Sequence, residues 1–336
     1  MNLERSRCST MPPVRDRTLP GETDLDLAIL REMYPSGQIE ASGIDPRLNP
    51  SRISRRLGVG RGAIAQRLRA WTEFGFLVQF DVWPNPALFG QRPVWLEVRV
   101  ADRLDKESVL ERIGHVPGAV TALDVVGEWL VTTFIRPVDE EPRRLADLVR
   151  SLSGVAEVGP PSGGRSAVPG RRPTPLDFRI IRVLRSHPRD SLSTIARLAR
   201  VSTRTITTRY RRLIEERAVW FVPIYDFRAL AEPALSVNVR FTSVPDRERF
   251  ARALRRAYPR SIEFLRSPVS PLLTDDRIGC VILARSAARI EEIERWIHGQ
   301  PGDVDCELVV LIRQVAYPET FDRLIASMPG IDPNPS

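Results

Sequence analysis

One apolar pattern occurs twice in this 336-residue chain. Ile53, Val59, Ile64, Leu68 and Trp71 return as Ile195, Val201, Ile206, Tyr210 and Leu213 at a constant offset. A repeat of that length is domain-sized, so the chain should fold as two similar halves and not as a solenoid. The second copy is the clearer one. Ile195, Leu198 and Ala199 make one helical apolar face. After a break at Arg200 and Val201, Ser202 offers an N-cap hydroxyl to a second helix. There Ile206, Tyr210 and Leu213 point one way, and Thr203, Arg204, Thr207, Thr208 and Arg211 the other. Two short helices joined by a tight turn, the second carrying Arg and Thr outward, make a helix-turn-helix. Residues 218–222 then read as a strand, the start of a wing.

Arginine can reach guanine edges or phosphates, and threonine can hydrogen-bond bases or touch a thymine methyl. The spacing therefore predicts a DNA-facing set of Ser202, Thr203, Arg204, Thr207, Thr208 and Arg211, with Arg212 on the flank. In the first copy Arg61, Gln66 and Arg69 stand where the second has Thr203, Thr208 and Arg211, and Arg67 lies among them. Residues 51–70 contain Arg52, Arg55, Arg56, Arg61, Arg67 and Arg69 and no acid. A lone arginine-rich hairpin is often only a solvated surface; the second copy argues against that. Leu25-Asp26 with Ile29 matches Leu176-Asp177 with Ile180 at a larger offset, so the first copy carries an extra Gly-, Pro- and Ser-rich loop over 35–50. Gly62 inside the first recognition helix costs up to about 1 kcal/mol relative to Ala.

The net charge of +8 and pI near 10.2 favour a polyanionic partner. Lys106 is the only lysine. Cys8, Cys280 and Cys306 suggest neither a disulfide framework nor a zinc site, and they fit a reducing cytoplasm. His115, His187 and His298 do not cluster, so neither a metal nor another cofactor is expected. No apolar run approaches a membrane span. The polar, basic N-terminus has no signal-peptide core.

Each copy is followed by a different pattern. Residues 94–100, 119–126, 129–135 and 155–158 read as strands, with helices over 106–115 and 142–152. The order β-α-β-β-α-β is a ferredoxin-like plait. It recurs with strands over 235–241, 261–266, 278–283 and 306–312 and helices over 247–258 and 287–298; residues 320–328 add a terminal helix. The expected division is a basic arm (1–22), winged helix-turn-helix 1 (23–80), plait 1 (91–158), a Gly/Pro-rich linker (159–173), winged helix-turn-helix 2 (174–225), plait 2 (233–315) and a tail (316–336). The fold class is α+β.

Winged helix-turn-helix, connector, then βαββαβ resembles the Lrp/AsnC family of transcription regulators over nearly the whole chain, twice. Leu176-Asp177, the stretch Ser202-Thr203-Arg204-Thr205-Ile206 and the connector Asn85-Pro86-Ala87-Leu88-Phe89-Gly90 carry the resemblance. Val126-Gly127-Glu128-Trp129 is similar to the family's hairpin turn, with Leu130 where an Asp is common. At the corresponding place the second plait has Asp276-Arg277-Ile278-Gly279. The resemblance implies RAM-type plaits packed sheet against sheet, double-stranded DNA as partner, and an amino acid or similar effector near Gly127, Glu128 and Trp129. With both halves in one chain it implies an intramolecular pseudo-dimer, to which a homodimer could be added. Two other readings share the architecture. One is a siroheme decarboxylase, which would need plait His and Arg side chains; His115 is the only histidine of plait 1, and it sits at a helix end. The other is a bridging protein with little sequence preference.

Overall fold

The structure is a computed structural model describing residues 23–33, 50–163, 169–241, 243–258, 262–264, 277–284, 286–301 and 305–328. The basic arm, most of the 35–50 loop, Asp276 and Cys8 lie outside the described residues. Among these residues no helix is long and apolar enough to cross a membrane.

The first helix-turn-helix is α1 (Asp24–Met33), α2 (Pro50–Leu57) and α3 (Arg61–Glu73), followed by β1 (Leu77–Pro84). Its repeat residues Ile53, Ile64, Leu68 and Trp71 are buried together, joined by Ile29 and Leu30 of α1. Plait 1 follows: β2 (Gln91–Val100), α4 (Lys106–His115), β3 (Ala119–Val125), β4 (Trp129–Pro137), α5 (Pro142–Arg150), β5 (Val155–Val158) and a two-residue β6 (Ser162–Gly163). The second helix-turn-helix is α6 (Pro175–Ser186), α7 (Leu192–Leu198) and α8 (Thr203–Glu215), followed by β7 (Val219–Tyr225). Its core gathers Ile195, Ile206, Tyr210 and Leu213 under Phe178, Ile181 and Leu184. Plait 2 is β8 (Ala234–Arg240), α9 (Val244–Ala257), β9 (Ile262–Phe264), β10 (Arg277–Leu283), α10 (Ala287–His298) and β11 (Asp305–Ala316). The chain ends its described part in α11 (Glu319–Ala326).

The wing is shared between the halves. β1 and β7 pair antiparallel with each other, Val82 opposite Phe221 and Trp83 opposite Trp220. A single strand leaving a recognition helix has unmet backbone groups. Its copy in the other half supplies the partner. The ends are locked reciprocally. The Asn85 N–H donates to Ala218 O at 2.9 Å, and the Asp226 N–H donates to Phe76 O at 2.9 Å.

The plaits are joined edge to edge in one sheet of order β5-β2-β4-β3-β11-β8-β10-β9. The joint is β11. Asp305 to Val310 pair with β8 of its own plait, and Leu311 to Ala316 pair with β3 of the other, with a register break between Leu311 and Arg313. This corrects the expectation that the two sheets simply face each other. A sheet with helices on one face still needs a cover for the other. The β1–β7 ribbon and α11 provide it: Trp83, Trp220 and Phe321 pack on Val120 and Ile135 of plait 1. Phe76 and Tyr225 pack with Val125, Ala234, Val281 and Leu311 where the plaits meet. There Lys106 Nζ, buried, donates to Asp124 at 2.7 Å, and Arg313 pairs with Glu107.

Candidate nucleic-acid interface

Each recognition helix is oriented by a buried aspartate on the first helix of its unit. Thr23 and Asp26 stand three residues apart, as do Thr174 and Asp177. In both cases the threonine caps the helix and the aspartate answers with a bond to the threonine backbone, a capping box with Asp in the acidic place. Both aspartates are 0% exposed. A carboxylate so buried needs counter-charge, because desolvation outweighs a poor pairing. Asp26 receives Arg67 and, at 2.9 Å, the Trp71 Nε1–H. Asp177 receives Arg209 Nη1 at 3.2 Å and also Arg212. Burial pushes the Asp177 carboxyl up. The Thr174 backbone and hydroxyl donors, with Arg212 and Arg209, outweigh burial and hold it below its ordinary value.

Two expected DNA-facing residues are therefore turned elsewhere. Arg67 is only 14% exposed and points back at Asp26. Arg212 points back at Asp177 in the same way. Their positions on the helix flank let the long side chains reach either way, and the buried acids decide. The aspartates and Arg209 were missed as functional positions. Their signal was available in the repeated spacing Thr-x-x-Asp ahead of each apolar run.

The remaining candidates face solvent. Arg61, Gln66 and Arg69 are exposed on α3, and Ser202, Thr203, Arg204, Thr208 and Arg211 on α8, with Thr207 half-buried. Ser202 is the cap of α8, its hydroxyl accepting from the Thr205 N–H at 3.1 Å. The Thr207 and Thr208 hydroxyls donate to the carbonyls of Thr203 and Arg204 at 2.8 and 3.1 Å. The turns also differ. Gly58 and Gly75 adopt positive φ before and after α3; Arg200 and Arg217 do so before and after α8. Arginine in that conformation stores about 1–2 kcal/mol of strain.

The second unit is also clasped to the ribbon. Arg185 of α6, its side chain 4% exposed, pairs with Asp81 at 3.3 Å and Asp322 at 2.7 Å. It donates as well to the carbonyls of Val82 and Pro318. Asp81 further accepts from Trp83 Nε1–H at 2.9 Å. Burial dominates there and holds the Asp81 carboxyl above its ordinary value despite Arg185.

The expected effector turn is an open one. Gly127 takes φ +92, Glu128 reaches Arg99 at 3.7 Å, and Trp129 lies at the surface with 36% exposed. Val126 next to it donates to Val310 O, so the turn abuts the shared strand β11. His115 is exposed at the end of α4, its Nδ1 2.8 Å from Glu111 O.

Two outward helices on one ribbon, over two plaits sharing a strand, define a tandem chain of two helix-turn-helix units and two βαββαβ plaits. No family model matches the chain. It is similar to an uncharacterized HTH-type transcriptional regulator of Pyrococcus abyssi, 25% identical over 127 residues, or 35% of this chain and 83% of the relative. Another of Pyrococcus horikoshii is 26% identical over 119 residues, 33% of this chain and 77% of the relative. Among solved structures, the siroheme decarboxylase NirDL matches 91% of this chain and 99% of its own, at 15% identity and TM-score 0.47. Escherichia coli AsnC matches 45% and 98%, at 14% identity and TM-score 0.28.

Proposed function

We propose that the chain is a sequence-specific, double-stranded DNA-binding transcription regulator of the Lrp/AsnC type, acting by binding and not by chemistry. The observation that carries this is the pairing of two outward recognition faces on one ribbon, β1 with β7. The ribbon fixes the two helices as a pair within one molecule. The faces are unequal, Arg61, Gln66 and Arg69 against Thr203, Arg204, Thr208 and Arg211. One chain therefore reads two unequal half-sites. The relatives named as HTH-type regulators support this reading. The place of His115, held to its own helix at the surface, favours it over the decarboxylase reading.

Selection of bound duplexes from a random library, with the mass of the complex measured in parallel, tests it. The expected outcome is an asymmetric site with half-sites one helical turn or a multiple apart. Cognate DNA should be bound at least about 10³-fold more tightly than random DNA at fixed salt. A perfect palindrome bound by one chain overturns the unequal reading. Equal affinity for all duplexes replaces the regulator with a bridging protein.

A further inference from the structure

We propose that a cleft between the two helix-turn-helix units is an effector site for a small carboxylate with an apolar body. Its occupancy changes how the second recognition helix is held. The output of this site rests on the DNA-binding reading above; ligand binding itself does not.

The cleft has a volume of about 310 Å³, within the range of small-molecule sites. One wall comes from the first half, with Thr72 at the end of α3 and Val78 and Phe80 of β1. The other is the connection between α6 and α7 in the second half, with Ser186, His187 and Arg189. Arg189 supplies the positive charge, and Asp190, which also lines the cleft, a negative one. The Arg189 guanidinium carbon lies 5.3 Å from the centre of the Phe80 ring, and among the described residues no carboxylate pairs with it. The neighbouring Asp190 is engaged with His187 Nδ1 at 3.2 Å. A guanidinium stacked on a ring keeps its in-plane N–H donors, which fit the two oxygens of a carboxylate. Val78, 54% exposed, offers apolar surface to the rest of the ligand, while the Phe80 ring is nearly buried, with Arg189 over it.

The position of the cleft gives it an output. Ser186 directly follows Arg185, and Phe80 directly precedes Asp81. Arg185 and Asp81 form the clasp that fixes α6 against β1. A ligand held by Arg189 and lying on Val78 bridges the same two segments beside that clasp. In the first half the connection between α1 and α2 is much longer in sequence, so this wall has no counterpart of equal length. A ligand shifts DNA affinity only by its differential affinity for the two placements of α8, and DNA must shift ligand affinity by the same factor.

The test titrates the full chain with phenylacetate by calorimetry, with benzyl alcohol and phenethylamine as neutral and cationic controls. Phenylacetate should bind once per chain, and each control about tenfold more weakly or worse. Arg189→Gln should remove that preference without changing the melting temperature. Saturating phenylacetate should alter affinity for the selected duplex by about fivefold or more in the parent chain and not in Arg189→Gln. Three outcomes overturn the site: no phenylacetate binding up to about 10 mM, equal binding of the three compounds, or binding that survives Arg189→Gln. A fourth is ligand-free Arg189→Gln weakening all DNA with a shallower salt slope, which makes Arg189 a phosphate contact. If the parent chain without ligand binds no DNA, the regulator reading fails, while carboxylate binding that depends on Arg189 still upholds the site.

Discussion

The two helix-turn-helix units keep the same interior and differ at the rim. In both, a buried aspartate caps the first helix and pins the third. The first unit completes the pin with one arginine and an indole, Arg67 and Trp71; the second uses two arginines, Arg209 and Arg212. The first places glycine at both left-handed turn positions, and the second places arginine there. Only the second, among the described residues, has a clasp like that of Arg185. Burial constrains what a duplicated frame can change: an apolar face and a paired acid cannot be given up. The solvent-facing positions carry no such penalty, and there the halves have diverged into a relaxed unit and a strained, more cationic one.

Removal of each pinning acid should give the largest effect. Asp26→Ala removes the buried carboxylate that Arg67 and the Trp71 N–H share in a nearly closed site, and should cost about 3–5 kcal/mol. Asp177→Ala should cost less, about 2–3 kcal/mol, because Arg209 and Arg212 keep 29% and 23% of their side-chain surface and can turn to water. Urea unfolding of the two variants checks it. Equal losses would mean that the two pins are equivalent despite their different partners.

Acid titration separates the pin from the clasp. Asp177 is held below its ordinary value of 3.8, so its stabilisation is complete above that value and is lost as pH falls through the lower, folded value. Asp81 is held above 3.8, so its contribution is complete below that value and is lost as pH rises through the higher, folded value. Melting temperatures between about pH 3 and 7 should therefore show opposite effects. Asp177→Asn should remove part of the loss on the acid side, and Asp81→Asn part of the decline on the neutral side. Slopes changed in the same direction by both variants would contradict the assignment.

The turns give a smaller effect. Arg200→Gly relieves left-handed strain but adds freedom to the unfolded chain, for a net gain of about 0.5–1 kcal/mol. Gly58→Arg should cost about 1 kcal/mol from the backbone alone, since a Cβ at Gly58 meets no atom within 4 Å. Opposite signs of similar size confirm that the halves differ by strain and not by packing. A loss from Arg200→Gly would show that its side chain holds the turn.

How much of this was legible follows from which interactions are local. The helical faces at Ile195, Ile206 and Leu213 were readable because a period of 3.6 is written in consecutive residues. Helix 106–115 agrees with the structure for the same reason, and strand 155–158 agrees with it as well. The pairing of β1 with β7 was not readable, because an alternating strand does not name its partner. The extension of β11 beyond residue 312 was hidden likewise: Arg313 and Gln314 look like the end of a strand until β3 is beside them. The inward turn of Arg67 and Arg212 depends on an acid more than thirty residues away. The cleft at Arg189 arises only where two halves meet.

The two faces also differ in the chemistry they can read, with the smallest expected effects. Thr207 and Thr208 have spent their hydroxyl protons on the carbonyls of Thr203 and Arg204. They present methyl groups and acceptor lone pairs. At the corresponding positions α3 has Ala65 and Gln66, and glutamine can both donate to and accept from adenine. The half-site under α8 should then be read through thymine methyls, and that under α3 through hydrogen-bonding edges. Replacing thymine by deoxyuridine removes the methyl and leaves every hydrogen-bonding group in place. Within the α8 half-site each methyl read should be worth about 0.5–1 kcal/mol, and the same exchange under α3, where Ala65 alone of the two offers a methyl, should cost less in total. Thr208→Val keeps a methyl and loses the hydroxyl, so it should retain affinity; Thr208→Ser keeps the hydroxyl and loses the methyl, so it should weaken the complex as deoxyuridine does. The reverse ranking, with serine tolerated and valine not, would mean that the hydroxyl leaves Arg204 O on binding DNA. The two recognition helices would then read their half-sites by the same chemistry after all.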